Sequence, residues 1–127
     1  MKKEIRNRII IATVTIFILG LIGSLVFYSA KPGKLDGFAQ CIKDGGAKFY
    51  GAYWCSHCQN QKELFGASKN ILPYVECSHF DGRTQVKECA DAGITGYPTW
   101  VFADGSRLSG EVELKILAEK TGCQLPQ

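Results

Sequence analysis

The chain has 127 residues, of which 46% are hydrophobic, 11% aromatic and 21% charged, with 14 Gly, 4 Pro and 6 Cys. This length fits one small domain, and the composition is too apolar for a disordered chain and has no fibre-like repeat. The net charge of +3 comes from residues 1–8, because from residue 31 onward eleven basic residues balance eleven acidic ones. A nucleic-acid-binding protein needs Lys and Arg clustered on its folded part, so we expect no nucleic acid partner.

Residues 9–28 are twenty residues without a formal charge. At about 1.5 Å per residue, a helix of this length spans about 30 Å, the thickness of the bilayer hydrocarbon. We therefore predict a transmembrane anchor. The alternative is a cleaved signal peptide, but such peptides have apolar cores of about 7 to 15 residues and small residues at the cleavage site. Here bulky Tyr28 precedes Ala30, and no cysteine directly follows the stretch to carry a lipid.

The basic tail at residues 1–8 sets the expected orientation. Such clusters stay on the cytoplasmic side of a membrane, so residues 35–127 should form an extracytoplasmic domain that faces the periplasm, the outer face or a lumen. Residues 29–34 are a short polar tether between anchor and domain. All six cysteines follow the anchor, and in an oxidising compartment most of them should be paired.

The elements of the domain follow from periodicity and turn signals. A short helix that carries Leu35, Phe38, Ala39 and Ile42 ends at Gly45-Gly46. We then predict a strand at 48–54, a helix at 55–67 with Leu64 and Phe65 buried, a strand at 74–77, a helix at 85–92 and a strand at 99–102. Asp104-Gly105 turns into a strand at 107–109, and an amphipathic helix at 111–121 carries Val112, Leu114, Ile116 and Leu117. The order βαβαββα predicts an α/β fold, a mixed sheet covered by helices on both faces.

Cys55-Ser56-His57-Cys58 lies where a predicted strand meets a predicted helix. Unpaired N–H groups and the helix dipole favour an anion such as a thiolate there, which makes Cys55 the attacking cysteine. Cys58, one turn along, is close enough to close a disulfide with Cys55. Half a zinc site is one alternative, but zinc needs four ligands and the sequence has no second C-x-x-C or paired His motif. We therefore predict no metal and no cofactor. A purely structural disulfide is the other alternative, although so short a loop makes a poor staple.

Gly96-Tyr97-Pro98-Thr99 precedes the predicted strand at 99–102. A proline that opens a strand often has a tight or cis geometry. An ordinary trans turn fits these residues equally well, and only the upstream C-x-x-C favours the cis form.

Two segments carry a family resemblance: Tyr50-Gly51-Ala52-Tyr53-Trp54-Cys55-Ser56-His57-Cys58 and Gly96-Tyr97-Pro98-Thr99-Trp100. Both resemble the thioredoxin superfamily. Residues 38–123 are more closely similar to the thioredoxin-like domain that is fused to bacterial and plastid vitamin K epoxide reductase homologues. Further matching segments are Gln61-Lys62-Glu63-Leu64-Phe65-Gly66, Tyr74-Val75-Glu76-Cys77 and Leu108-Ser109-Gly110-Glu111.

The resemblance implies a thioredoxin-like fold and a thiol–disulfide oxidoreductase. In such a protein Cys55 attacks, Cys58 resolves, and Pro98 is cis and faces the pair. The backbone at Tyr97 pairs with the substrate peptide, and we assign Trp54 to the same substrate-binding group.

The chain departs from the family pattern in two places. Thioredoxins usually keep an acidic residue six positions before the first cysteine to take protons from the second, and here that position is Phe49, which weakens the case for a thioredoxin-like reductant. The fused membrane reductase is also absent from this sequence, so we expect a vitamin K epoxide reductase-type membrane protein to act in trans. The four tether residues 31–34 span at most about 14 Å, and so short a link raises the effective concentration of a membrane partner.

The two histidines have different expected roles. A positive or donor group beside Cys55 stabilises its thiolate, so we predict that His57 favours the reduced form and makes the pair a stronger oxidant. The alternative for His57 is a solvated loop residue. His79 has no partner in the sequence, and we predict that it lies at the surface.

The remaining four cysteines allow three pairings. The resemblance favours Cys77 with Cys89, which leaves Cys41 with Cys123, and we expect both disulfides to be structural. An alternative role for Cys77 and Cys89 is to relay electrons to the C-x-x-C pair.

The leading functional hypothesis is a membrane-tethered oxidoreductase that forms disulfides in exported cysteine-containing proteins and is reoxidised by a membrane quinone reductase. One alternative is an extracytoplasmic reductase for cytochrome c maturation or disulfide repair, which a reduction potential would distinguish. The other is a non-catalytic module that chaperones thiol-bearing or metal-bearing clients, which would show no turnover.

Overall fold

The computed structural model of the chain describes residues 1–29 and 32–127. The chain divides into two compact units, Met1–Lys31 and Pro32–Gln127. The predicted tether at 29–34 includes Ala30 and Lys31, which lie outside the described residues.

The first unit contains one long helix, α1 (Lys2–Ser29). It begins within the basic tail, so the helix is longer than the charge-free stretch at 9–28 from which the anchor was predicted. Its large apolar side chains are exposed. The segment Lys2–Tyr28 is long and apolar enough to cross a membrane, although an N-terminal signal sequence has the same properties.

The second unit contains a four-stranded sheet and its flanking helices. Its elements in chain order are α2 (Asp36–Asp44), β1 (Lys48–Gly51), α3 (Ser56–Glu63), a 3₁₀ helix (Gly66–Ile71), β2 (Tyr74–Glu76), α4 (Lys87–Asp91), β3 (Thr99–Val101), β4 (Arg107–Ser109) and α5 (Leu114–Thr121). The predicted order βαβαββα behind a short first helix is confirmed.

The sheet has the strand order β2-β1-β3-β4. Strands β1 and β2 are parallel, whereas β3 is antiparallel to both β1 and β4. The predicted mixed sheet is therefore confirmed. The turn between β3 and β4 needs a glycine, because Gly105 has a φ of +78°, where a Cβ is disfavoured.

Alternation along β1 divides the core between the two sides of the sheet. Phe49 belongs to the larger cluster, where it stacks on Trp100 at 4.8 Å between ring centres and shares the core with Phe38 of α2 and Leu117 of α5. Tyr50, the next residue, belongs to a smaller cluster with Cys89 of α4. Helices thus flank the sheet, as predicted.

Several element boundaries differ from the predictions. Strand β1 ends at Gly51 rather than at residue 54, because the Cys55 N–H donates to the Ala52 carbonyl in a turn. Helix α3 ends at Glu63 rather than at residue 67, shortly before Gly66 adopts a φ of +54°. Helices α4 and α5 are also shorter than predicted, and β2 and β3 each end one residue early.

Two residues predicted for the core are in fact exposed. Leu64 and Ile116 each have 44% of their surface exposed, whereas Phe65 and Leu117 are buried as predicted. Val112 is buried but precedes α5, which begins at Leu114.

Candidate active site

Cys55 occupies the N-cap of α3. Its sulfur accepts a hydrogen bond from the Cys58 backbone N–H at 3.4 Å, and its carbonyl accepts from the Gln59 N–H. An N-terminal helix position exposes N–H groups and the positive end of the helix dipole to the sulfur. The chain thus places the first cysteine of the C-x-x-C at the N-terminal end of α3.

Cys58 lies one turn along the helix and is more deeply buried. It has no exposed surface, whereas Cys55 is 8% exposed, and both thiols are free. Burial, followed by the hydrogen bond with Cys55, raises the pKa of Cys58 to about 12. Cys58 therefore stays a neutral thiol near neutral pH, and Cys55 is the sulfur that a substrate can reach.

The Tyr97–Pro98 loop packs against the first cysteine. The peptide bond between these residues is cis, the side chain of Pro98 is fully buried, and the Tyr97 carbonyl oxygen lies 3.8 Å from the Cys55 sulfur. The Tyr97 hydroxyl is held by the side-chain amide of Gln85 at 2.8 Å. The structure thus brings Tyr97 and Pro98 to the C-x-x-C pair.

Trp54 extends this surface beside the cysteine. Its ring meets Tyr97 edge-on at 6.1 Å between ring centres, and its indole N–H donates to the Ser78 hydroxyl at 2.8 Å. Trp54 remains 55% exposed. The exposed ring presents an apolar surface beside the Cys55 sulfur.

His57 makes a different contact from the one expected. Its Nδ1 lies 2.6 Å from Glu111 Oε1, which also accepts from the Asn60 side-chain amide, and the His57 side chain is 69% exposed. The hydrogen bonds from His57 and Asn60 lower the pKa of Glu111. The predicted effect of His57 on Cys55 remains a prediction, and Glu111 is a partner that the sequence reading did not identify.

The other four cysteines form two disulfides, the pairs that the resemblance implies. Cys41 bonds Cys123 and thereby joins α2 to the segment after α5, and Cys77 bonds Cys89 and joins the end of β2 to α4. Cys77 and Cys89 have no exposed surface, so an external thiol cannot reach this disulfide without local opening. The relay role for this pair is untested.

His79 is exposed, as expected for a surface residue. Within the described ranges 1–29 and 32–127, no three His, Cys, Asp or Glu residues come together as metal ligands.

Comparison with known proteins identifies the family. Residues 40–120 match the thioredoxin family model. The chain belongs to the thioredoxin family. It is also 55% identical over 94 residues to the thiol-disulfide oxidoreductase LTO1 of Arabidopsis thaliana, a match that covers 70% of the chain. The chain corresponds to 24% of the length of that relative. The family match and this relative support protein thiol–disulfide oxidoreductase activity.

Gln61 holds α3, the helix that carries Cys58, in place at this thioredoxin-family site. It is fully buried, its amide donates to the Val112 carbonyl at 3.0 Å, and its carbonyl accepts from the Val112 N–H at 2.6 Å. These two bonds hold α3 against the segment that carries Glu111. Gln61 is one helical turn after Cys58, yet nothing in the sequence indicates a partner so distant in the chain.

Three polar residues that the sequence pattern does not indicate lie near Cys58. The Tyr74 hydroxyl donates to Glu76 Oε2 at 2.8 Å, and the ammonium of Lys62 lies 3.4 Å from the centre of the Tyr74 ring. Glu76 Oε1 accepts from the backbone N–H groups of Tyr53 and Ser78. We call Lys62, Tyr74 and Glu76 the polar cluster.

Proposed function

We propose that the chain is a membrane-anchored thiol–disulfide oxidoreductase that forms disulfides in exported cysteine-containing proteins. The observation that carries this proposal is the pair of free thiols at the start of α3, with the Cys55 sulfur at the helix N-terminus and 3.8 Å from the Tyr97 carbonyl oxygen. A backbone carbonyl of half-buried Tyr97 beside the Cys55 sulfur suits an extended peptide that carries a cysteine.

The reaction has two exchange steps. A substrate thiolate attacks the Cys55 sulfur of the Cys55–Cys58 disulfide, which forms a mixed disulfide and releases Cys58 as a thiolate. A second substrate thiolate then attacks the substrate sulfur and releases Cys55 as a thiolate. The substrate loses two electrons, and the two cysteines hold them as a dithiol.

We propose that a vitamin K epoxide reductase-type membrane protein acts in trans to take these electrons and passes them to a quinone. The apolar helix α1 supports an anchor, and the basic residues at its start support an extracytoplasmic domain. Two disulfides in the domain also fit an oxidising compartment.

Trapping in cells tests the division of labour. Cys58→Ala should accumulate mixed disulfides between Cys55 and client proteins, because the thiol that would resolve them is absent. Cys55→Ala, the matched control, should trap none. Equal trapping by the two variants would contradict the assignment.

Release of the domain tests the membrane partner. Residues 1–30 are replaced by a cleavable signal peptide, and the redox state of Cys55 and Cys58 is followed in cells with and without a vitamin K epoxide reductase-type protein. We expect the pair to become more reduced when either the anchor or the reductase is removed. A pair that stays fully oxidised in both cases would contradict this partnership.

A further inference from the structure

Cys58 must lose a proton during reoxidation, and the inference drawn here for that proton rests on the proposed function. When the pair is reoxidised, Cys58 must become a thiolate before it can attack a mixed disulfide at Cys55. Its side chain has no exposed surface, and burial, followed by the hydrogen bond with Cys55, raises the pKa of this thiol in the reduced pair. Bulk water has little access to the proton, so a nearby polar group that accepts it would speed this step.

The polar cluster faces the Cys58 sulfur across Gly51. A Cβ on Gly51 would stand 3.0 Å from the Cys58 sulfur and 3.3 Å from the Tyr74 hydroxyl oxygen. The sulfur and the hydroxyl therefore lie around the same point beside Gly51, where the edge of the Tyr74 ring, 2.7 Å from that point, leaves no room for a side chain on residue 51. Phe49, on the same strand, offers no proton acceptor because it is apolar and stacked on Trp100.

The hydrogen bonds of the polar cluster set the direction in which a proton can move. The Tyr74 O–H donates to Glu76, so the Tyr74 oxygen keeps lone pairs that can accept a proton from the thiol side. Burial, together with the bond to Glu76, raises the pKa of Tyr74, so this residue remains a neutral donor. Glu76 is held in place by the two backbone N–H groups that its other oxygen accepts.

Lys62 supplies the positive charge of the cluster. Burial lowers its pKa, while the negative charges of Glu76 and Cys58 act in the opposite direction. Lys69 repels Lys62 and is itself paired with Glu63. Cys55 also acts electrostatically on Tyr74. An ammonium at this place stabilises a thiolate on Cys58.

We propose that Glu76, acting through the Tyr74 hydroxyl, takes the proton that Cys58 loses on reoxidation, and that Lys62 stabilises the resulting thiolate. In this step the Cys58 thiol gives its proton to Tyr74 as Tyr74 gives its own to Glu76. The Cys58 thiolate then attacks the Cys55 sulfur, and the partner leaves as a thiolate. Glu76 afterwards releases the proton to solvent, and the reverse transfer protonates Cys58 when a substrate opens the disulfide. The three residues are positioning residues for Cys58.

The test separates the two steps of reoxidation. The reduced full chain in detergent is mixed with oxidised glutathione, quenched with acid at intervals and analysed by mass spectrometry, which distinguishes the dithiol, the glutathione mixed disulfide and the Cys55–Cys58 disulfide. The variants are Glu76→Gln, which keeps the shape and the Oε1 acceptor, and Glu76→Asp, which keeps the carboxylate. Glu119→Gln removes an exposed carboxylate from α5 and serves as the matched control.

We expect the mixed disulfide of Glu76→Gln to last at least about 10-fold longer than that of the wild type at pH 7, because general-base catalysis contributes about 10²- to 10⁴-fold. Its formation should occur at the wild-type rate. The difference in lifetime should shrink toward pH 10, where hydroxide can take the proton. Glu76→Asp should recover part of the rate, and Glu119→Gln should match the wild type.

Two results would overturn the inference: an unchanged lifetime for Glu76→Gln at pH 7, or an equal slowing of both steps at every pH, which indicates a structural role. A wild-type chain that oxidised glutathione converts to neither the mixed disulfide nor the Cys55–Cys58 disulfide would instead contradict the proposed function.

Discussion

Replacing Gln61 with leucine tests how α3 is held in place. Leucine has a similar volume and leaves little cavity, but it cannot bond the Val112 N–H and carbonyl, whose bonds to Gln61 are both buried. Each buried backbone group left without a partner costs about 1 to 3 kcal/mol. We therefore expect Gln61→Leu to lower the free energy of unfolding by at least about 2 kcal/mol.

Thermal unfolding provides the assay. For a domain of this size, 1 kcal/mol corresponds to about 4 to 8 °C, so Tm should fall by at least about 8 °C. Gln40→Leu is the matched control, because Gln40 is an exposed helical glutamine whose side-chain amide donates to Asp44 on the same helix. A Tm for Gln61→Leu within about 2 °C of the control would refute the reasoning.

Gln61→Glu tests the same bonds through pH. A protonated glutamic acid can donate to the Val112 carbonyl and accept from its N–H, whereas a buried carboxylate cannot donate. Burial therefore raises the carboxyl pKa in the folded state. The stability that this raised pKa provides is present below the unfolded-state value, about 4.3, and is lost as the pH rises through the folded-state value. Greater stability of Gln61→Glu at pH 7 than at pH 4 would contradict this account.

The buried thiol, the long disulfide and the exposed tryptophan can each be tested by substitution. Because the Cys58 pKa is raised from 9.0 to about 12, the reduced chain should lose stability in urea unfolding as the pH rises from about 9 to 12. Cys58→Ser should lose less over this range, since only the raised pKa of Tyr74 still lowers its stability; an equal loss in both chains would contradict the assignment. The Cys41–Cys123 disulfide closes a separation of 82 residues. Replacing both cysteines with Ala should lower the free energy of unfolding, measured in urea, by about 4 kcal/mol. A loss under about 1 kcal/mol would be inconsistent with a structural bond. Trp54→Ala should raise KM for a dithiol peptide about 10-fold with little change in kcat, since an exposed aromatic contributes binding area; a selective fall in kcat would place Trp54 in the chemistry instead.

The sequence predicted the features that depend on local pattern. The order of elements follows from apolar periodicity and turn residues, and the position of Cys55 follows from the strand–helix junction. Boundaries were less accurate because they depend on turns and caps, as where the Cys55 N–H bonds Ala52 and ends β1. Leu64 and Ile116 were misplaced because a helical composition does not specify which face meets the core.

The partners within the site could not be predicted because they join distant parts of the chain. His57 meets Glu111 across 54 residues, and Gln61 meets Val112 across 51. The polar cluster joins α3 to β2, the strand that pairs in parallel with β1, which directly precedes α3. Single-sequence patterns carry no signal for such contacts.

The most direct test of the central claim follows the cysteines of the full chain through one turnover. The chain with an oxidised Cys55–Cys58 pair is incubated with a peptide that carries two thiols, alkylated and mapped by mass spectrometry. We predict that the peptide gains an internal disulfide while Cys55 and Cys58 become alkylated together and the other four cysteines stay protected. A peptide that keeps both thiols, or label that appears on Cys77 and Cys89 instead, would contradict the account.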